Sequence, residues 1–102
     1  MVDPKYYFAI KMIPWPELLK EFGLKMGGKK ARVSRSIGII KCCFHEEKHP
    51  SLVFYSDGGC HCFGCGITDD IFDFARRKLK GYDKAFKFFQ KKFGIPPKFI
   101  EG

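Results

Sequence analysis

Cys42-Cys43-Phe44-His45-Glu46-Glu47-Lys48-His49-Pro50-Ser51, and then His61-Cys62-Phe63-Gly64-Cys65-Gly66, is the stretch on which the reading of this chain turns. All five cysteines and all three histidines of the 102 residues fall between positions 42 and 65. An odd cysteine count with no secretory signal argues against a disulfide framework. The spacings favour metal: Cys42-x2-His45 and Cys62-x2-Cys65 are two pairs with sixteen residues between them. A two-residue gap lets a tight turn point both side chains at one ion, and Gly64 and Gly66 are expected to supply the turn's unusual backbone angles. Two such knuckles make a closed tetrahedral Cys3His site for one structural Zn2+, with Cys42, His45, Cys62 and Cys65 as ligands. Cys43 is set aside because Cys43-x-His45 is too tight a pair. Cys60 shares a strand face with Cys62 and is expected to pack beside the site without ligating. Two other readings stand beside this one. Cys62-x-x-Cys65 also suits thiol exchange, a reading weakened by the nearby Cys42 and His45. A cluster of reduced buried thiols leaves the paired spacings unexplained. His49 and His61 read as surface groups or supports to the ligands.

Outward from the knuckles, Ile37-Gly38-Ile39-Ile40 reads as a strand delivering Cys42. Ser51-Leu52-Val53-Phe54-Tyr55 reads as a second strand, which Asp57-Gly58-Gly59 turns back into Cys60-His61-Cys62. This hairpin joins the knuckles in a zinc-ribbon arrangement. Pro14-Trp15-Pro16-Glu17 opens a short helix that Gly23 ends, with Leu18, Leu19 and Phe22 as its apolar stripe. Gly27-Gly28 marks a turn. Thr68-Asp69-Asp70 is expected to cap a helix running to about Lys80, with Gly81 as its stop. Asp83 is expected to cap another, running to Lys92 before Gly94, and Pro96-Pro97 prevents continuation. Phe72, Ala75 and Leu79 form one stripe and Tyr82, Phe86, Phe89 and Phe93 another; helical spacing assigns them to a core against the sheet. The expected fold is α+β: a zinc ribbon on a small antiparallel β-sheet, with an N-terminal helix and two C-terminal helices packed around it.

One hundred and two residues make a single domain, 1–102, with a core over about 15–95 and a tail at 96–102. At 45% apolar and 29% charged, the chain is not disordered by composition. No run approaches the length of a membrane span, and Asp3, Lys5 and Lys11 interrupt any signal-peptide stretch. A soluble, cytoplasmic protein is expected, with no membrane partner. The net charge of +8 is patterned. Positions 24–45 carry six basic side chains and no acid, 46–73 carry six acids against Lys48, and 74–102 carry nine basic side chains against Asp83 and Glu101. Two basic blocks around an acidic one suit either a polyanionic partner or a solvated lysine-rich surface.

The two quoted segments resemble the N-terminal zinc-binding domain of bacterial-type DNA primases, whose pattern is C-P-F-H-x-E-K-T-P-S, then Y-H-C-F-G-C-G and a helix with D-x-I-x-F. Asp70, Phe72 and Phe74 fit that helix, with Phe72 in place of the aliphatic residue, and the resemblance covers about residues 15–95. Cys43 stands for the usual proline, His49 for threonine, Cys60 for an aromatic and Asp69 for glycine, and the basic stretch from Gly27 to Ser36 is longer than the family's hairpin. These departures remove no ligand and point to a mobile-element or viral branch.

The resemblance implies a domain, or a small primase subunit, that contacts single-stranded DNA template and helps choose where a primer starts. A separate catalytic domain or polymerase, in cis or in trans, joins the nucleotides, and a replicative helicase is a further expected partner. That chemistry needs a carboxylate cluster for Mg2+, which the scattered acids here do not form, so no catalytic residue is expected. Lys29, Lys30, Arg32, Arg35, Lys41 and Lys48 are the candidates for phosphate contacts, Lys48 also matching the family motif. Tyr55, Phe63 and Trp15 are the candidates for stacking a base. The competing readings are a zinc-ribbon adaptor that docks a helicase or polymerase without reading DNA, and a ribbon that binds duplex DNA or RNA.

Overall fold

The computed structural model describes residues 2–26, 36–43 and 50–98. Eight elements run in the order α1 (Pro4–Lys11), α2 (Trp15–Glu21), β1 (Ser36–Ile40), β2 (Leu52–Tyr55), β3 (Gly59–Cys62), β4 (Thr68–Asp70), α3 (Ile71–Leu79) and α4 (Tyr82–Phe93). The strands form one antiparallel meander in the order β1-β2-β3-β4. The fold is therefore α+β, as the sequence predicts, with two differences in its parts. An additional helix, α1, precedes the expected one. Residues 68–70, read as a cap alone, pair with β3 as a fourth strand (Cys60 opposite Asp69), and only Asp70 caps α3, its Oδ1 accepting from the Asp73 amide at 2.8 Å.

The helix ends follow local chemistry. Asp3 caps α1 through Oδ1 to the Lys5 amide, and Pro4 fills the first turn, where its missing N–H costs nothing. The stop of α3 is Lys80, held at φ 62°, and Gly81 then serves as the N-cap of α4 in place of Asp83. A lysine in the left-handed region bears a penalty that the adjacent glycine would escape. Gly94 ends α4 at φ 67°.

Alternation along the strands splits the sheet into two faces. Ile40, Leu52, Phe54, Cys60 and Cys62 belong to the buried core that the helices complete. Trp15 is its pivot: its ring lies 4.7 Å from Phe54 and 5.5 Å from Phe74, and Nε1 donates to the Gly59 carbonyl at 3.1 Å, pinning the hairpin turn. A second aromatic cluster joins α1, α3 and α4 through Tyr6, Phe72, Phe86 and Phe89. Of the predicted helical stripes, Phe72, Ala75 and Phe89 are core, Phe86 and Phe93 pack half-buried against it, Leu79 is half-buried and Tyr82 at the head of α4 is exposed. The other face of the sheet carries Ile39, Val53, His61 and Thr68 in one cross-strand row, with the His61 Nδ1 2.7 Å from the Thr68 hydroxyl. No described helix is long and apolar enough to cross a membrane.

Candidate metal centre

The end of the sheet where β3 leaves the core builds a thiol cluster. The Cys62 amide donates to the Ile67 carbonyl and the Gly66 amide donates back to the Cys62 carbonyl, both at 2.8 Å, closing a tight turn over Cys62–Gly66. Gly66 carries the left-handed angle, at φ 81°; Gly64, expected to share that task, is not in the positive region. The turn brings Cys65 over Cys62, and the chain leaving β1 brings Cys42 to the same point. The sulfurs of Cys42, Cys62 and Cys65 all lie within 4.8 Å of one another, with Cys42 Sγ to Cys65 Sγ at 4.0 Å. Tetrahedral zinc with Zn–S bonds of about 2.3 Å spaces its sulfurs about 3.8 Å apart, so this triad has the size of three corners of a zinc site. His45, the fourth predicted ligand, lies outside the described residues, as do Lys48 and His49.

The surroundings favour thiolate. Burial opposes ionisation of Cys62. Hydrogen bonds from the Ser51 hydroxyl (Oγ to Sγ 3.3 Å), from the Cys65 amide (3.4 Å) and thiol, and from the Gly64 amide outweigh it and bring the thiol down to about 7. Ser51 is the functional side chain that spacing alone misses. Its signal is the antiparallel register, in which the Phe63 amide donates to the Ser51 carbonyl and so sets residue 51 beside the knuckle. The two surplus cysteines sit in opposite electrostatics. Burial, with the Asp69 carboxylate beside it, pushes Cys60 up to about 12, and burial also raises Cys43. Neither belongs to the three-sulfur cluster.

A second polar feature braces this end of the sheet. Arg77 grips Asp69 with two bonds, Nε to Oδ2 at 2.8 Å and Nη2 to Oδ1 at 3.1 Å, tying α3 to β4. The Asp69 side chain is only 3% exposed. A glycine is usual at position 69 in the resemblance, and this carboxylate is where the chain departs from it with a partner in place.

The candidate nucleic-acid residues divide. Phe63 lies in the knuckle, 59% exposed, its ring edge-on to His61 at 4.7 Å. Lys41 is exposed beside Cys42, and Tyr55 is half-buried at the far end of β2, about 13 Å along the strand from Ser51. Trp15 is corrected: at 2% exposure it belongs to the core and offers no face to a base. Lys29, Lys30, Arg32 and Arg35 lie outside the described residues.

The profile of the CHC2 zinc finger matches residues 25–99. Two DNA primases, from Chlamydia trachomatis serovar D and Chlamydia muridarum, are each 38% identical to the chain over 73 residues. The alignment covers 67% of this chain and 12% of each primase, so the chain spans about an eighth of the length of these relatives.

Proposed function

The chain belongs to the CHC2 zinc-finger family, the zinc-binding domain of bacterial-type DNA primases, and from that premise we propose that it binds single-stranded DNA template and supports primer initiation by a catalytic domain or partner polymerase. One zinc ion, held by Cys42, His45, Cys62 and Cys65, supplies cross-linking and no chemistry of its own. Such a site is worth roughly 10–16 kcal/mol of apparent binding free energy, comparable with a domain's whole stability. The observation that carries the reading is Phe63. A ring shielding the metal would be buried; this one stands in solvent on the turn between Cys62 and Cys65. There it can stack an unpaired base, with Lys41 next to Cys42 and Lys48 three residues after His45 in the sequence to meet phosphates.

The test is fluorescence anisotropy of the zinc-loaded chain with single-stranded DNA, duplex DNA and RNA at two salt concentrations. Single-strand preference with steep salt dependence is expected. Phe63→Ala should weaken binding by roughly 5- to 150-fold, the equivalent of about 1–3 kcal/mol of stacking. Lys48→Ala should lower the salt slope by about one. No measurable binding to any of the three overturns the reading in favour of an adaptor that docks a helicase or polymerase. Metal stoichiometry tests the ligands: Cys42→Ser and Cys65→Ser should lose the zinc and Cys43→Ser should keep it.

A further inference from the structure

A groove of about 270 Å³ opens at the end of the sheet opposite the cysteine cluster. One wall is Lys11, Met12 and Pro14, from the end of α1 and the connection to α2; the other is Ile37, Tyr55 and Ser56, from β1 and the end of β2. The walls are held at a fixed distance because Gly58, at φ 91°, lets the hairpin turn approach the Lys11 carbonyl, 3.5 Å from where a Cβ would stand. Met12 is 82% exposed beside it, an apolar side chain left in water next to an aromatic one. The first wall lies ahead of residues 25–99, the region matched by the zinc-finger profile.

Its chemistry narrows the occupant. Among the described residues the walls are apolar and aromatic, none is an acid, and the one that carries a formal charge is Lys11. The volume suits one flat ring and falls below the usual range for larger ligands. An acidic peptide would meet only one cation, and a duplex keeps its ring faces stacked inside. The groove also contains Tyr55, at the end of the strand whose other end lies beside the knuckle about 13 Å away; Leu52, Val53 and Phe54 between them are buried, so a bound strand would pass over that segment rather than rest on it. We propose that this groove receives a single unstacked nucleobase of the bound strand, its ring against Tyr55 and its phosphate at Lys11. This extends the single-strand reading and rests on it for the identity of the strand.

Two measurements separate the inference from that reading. First, a single abasic site is walked along a fluorescent single-stranded oligonucleotide bound to the zinc-loaded chain. Besides any position stacked on Phe63, one position should weaken binding at least fivefold, the low end of base stacking. Ser56→Trp, which fills the groove from an exposed position, should weaken the intact oligonucleotide by the same factor, and the two losses should not add. Second, amide spectra are recorded while the four deoxynucleoside 5′-monophosphates are titrated. Shifts confined to residues 11–16, 37 and 55–58 support the groove even if the oligonucleotide fails to bind, in which case the template reading alone falls. Oligonucleotide binding with losses that simply add overturns the groove and leaves the template reading standing. Absence of shifts at ~10 mM monophosphate, weaker than any useful single-base site, overturns it as well.

Discussion

Replacing Arg77 by methionine is expected to cost more than an ordinary surface ion pair, because of where its partner lies. The Arg77 side chain is 38% exposed but that of Asp69 is 3% exposed, and both carboxylate oxygens accept from Arg77. Exposed pairs are worth about 0–1 kcal/mol; stranding a buried charge costs roughly 3–5 kcal/mol. The open side of Arg77 admits water and reduces that cost, so about 2 kcal/mol is expected. With a urea slope of about 1–3 kcal/mol/M for a domain of this size, the midpoint of the zinc-loaded protein should fall by about 1 M. Asp69 pairs with Cys60, and the next strand position inward leads to the Cys62–Ile67 bond, so loosening β4 should also quicken zinc loss to a chelator. The reasoning has a second arm. Asp69→Leu combined with Arg77→Met removes both charges, and should recover most of the stability lost by Arg77→Met alone. An Arg77→Met midpoint equal to the parent's, or a double variant weaker than the single one, would refute the claim that a desolvated carboxylate is what Arg77 neutralises.

Tyr6→Phe should stabilise the protein by about 1 kcal/mol, because the buried Tyr6 hydroxyl has no hydrogen-bond partner among the described residues. Burial, with Tyr7 beside it, also pushes Tyr6 up to about 12. Its neutral form is thus favoured by folding, a contribution intact below the unfolded value of 10 and lost as pH rises through about 12, so the advantage of Tyr6→Phe in urea midpoints should widen from pH 9 to 11. Phe54→Ala empties the space between Trp15 and Phe74 and should cost about 3–5 kcal/mol, lowering the urea midpoint by about 2 M; an unchanged midpoint would contradict it. Chelation should strip hydrogen-exchange protection from the Cys62 and Gly66 amides while helical circular dichroism persists, since the helices have aromatic cores of their own; complete loss of helix would show that metal and core are one cooperative unit.

What was legible in the sequence was the part whose signals are local. The Cys42-x2-His45 and Cys62-x2-Cys65 spacings, the β-branched and aromatic run Leu52–Tyr55 and the Asp57-Gly58-Gly59 turn specify the hairpin without help from distant residues, and Gly94 marks the end of α4. The unread parts depend on distant partners. Thr68-Asp69-Asp70 is polar and short, and only the ladder to β3 makes it a strand. Helix α1 spans eight residues and buries only Tyr6 and Ile10, too little periodicity to register, although Asp3-Pro4 is a fair start signal. Trp15 sits between two prolines at the start of a short helix, and its burial is decided by Phe54 and Phe74, far along the chain. At the site, spacing assembled the sulfurs, but the Ser51 contact and the Asp69–Arg77 brace come from register and from an eight-residue separation across two elements.

The first sixteen residues do more than lengthen the domain. Trp15 reaches across to the Gly59 carbonyl, and the Lys11 backbone lies against Gly58, so both anchors fall on the turn that joins β2 to β3. The hairpin is therefore fixed at two ends by different means: its open end by the thiol cluster, its turn by an indole hydrogen bond and close backbone packing. A ribbon held only at the metal would leave the β2–β3 turn free to fray, because an isolated hairpin is marginal in water. With both ends held, Phe63 and Tyr55 stay at opposite ends of one rigid strand pair at a set separation. In the proposed template-binding role, a strand pair of that kind would measure a stretch of single strand, where a flexible one could only adhere to it.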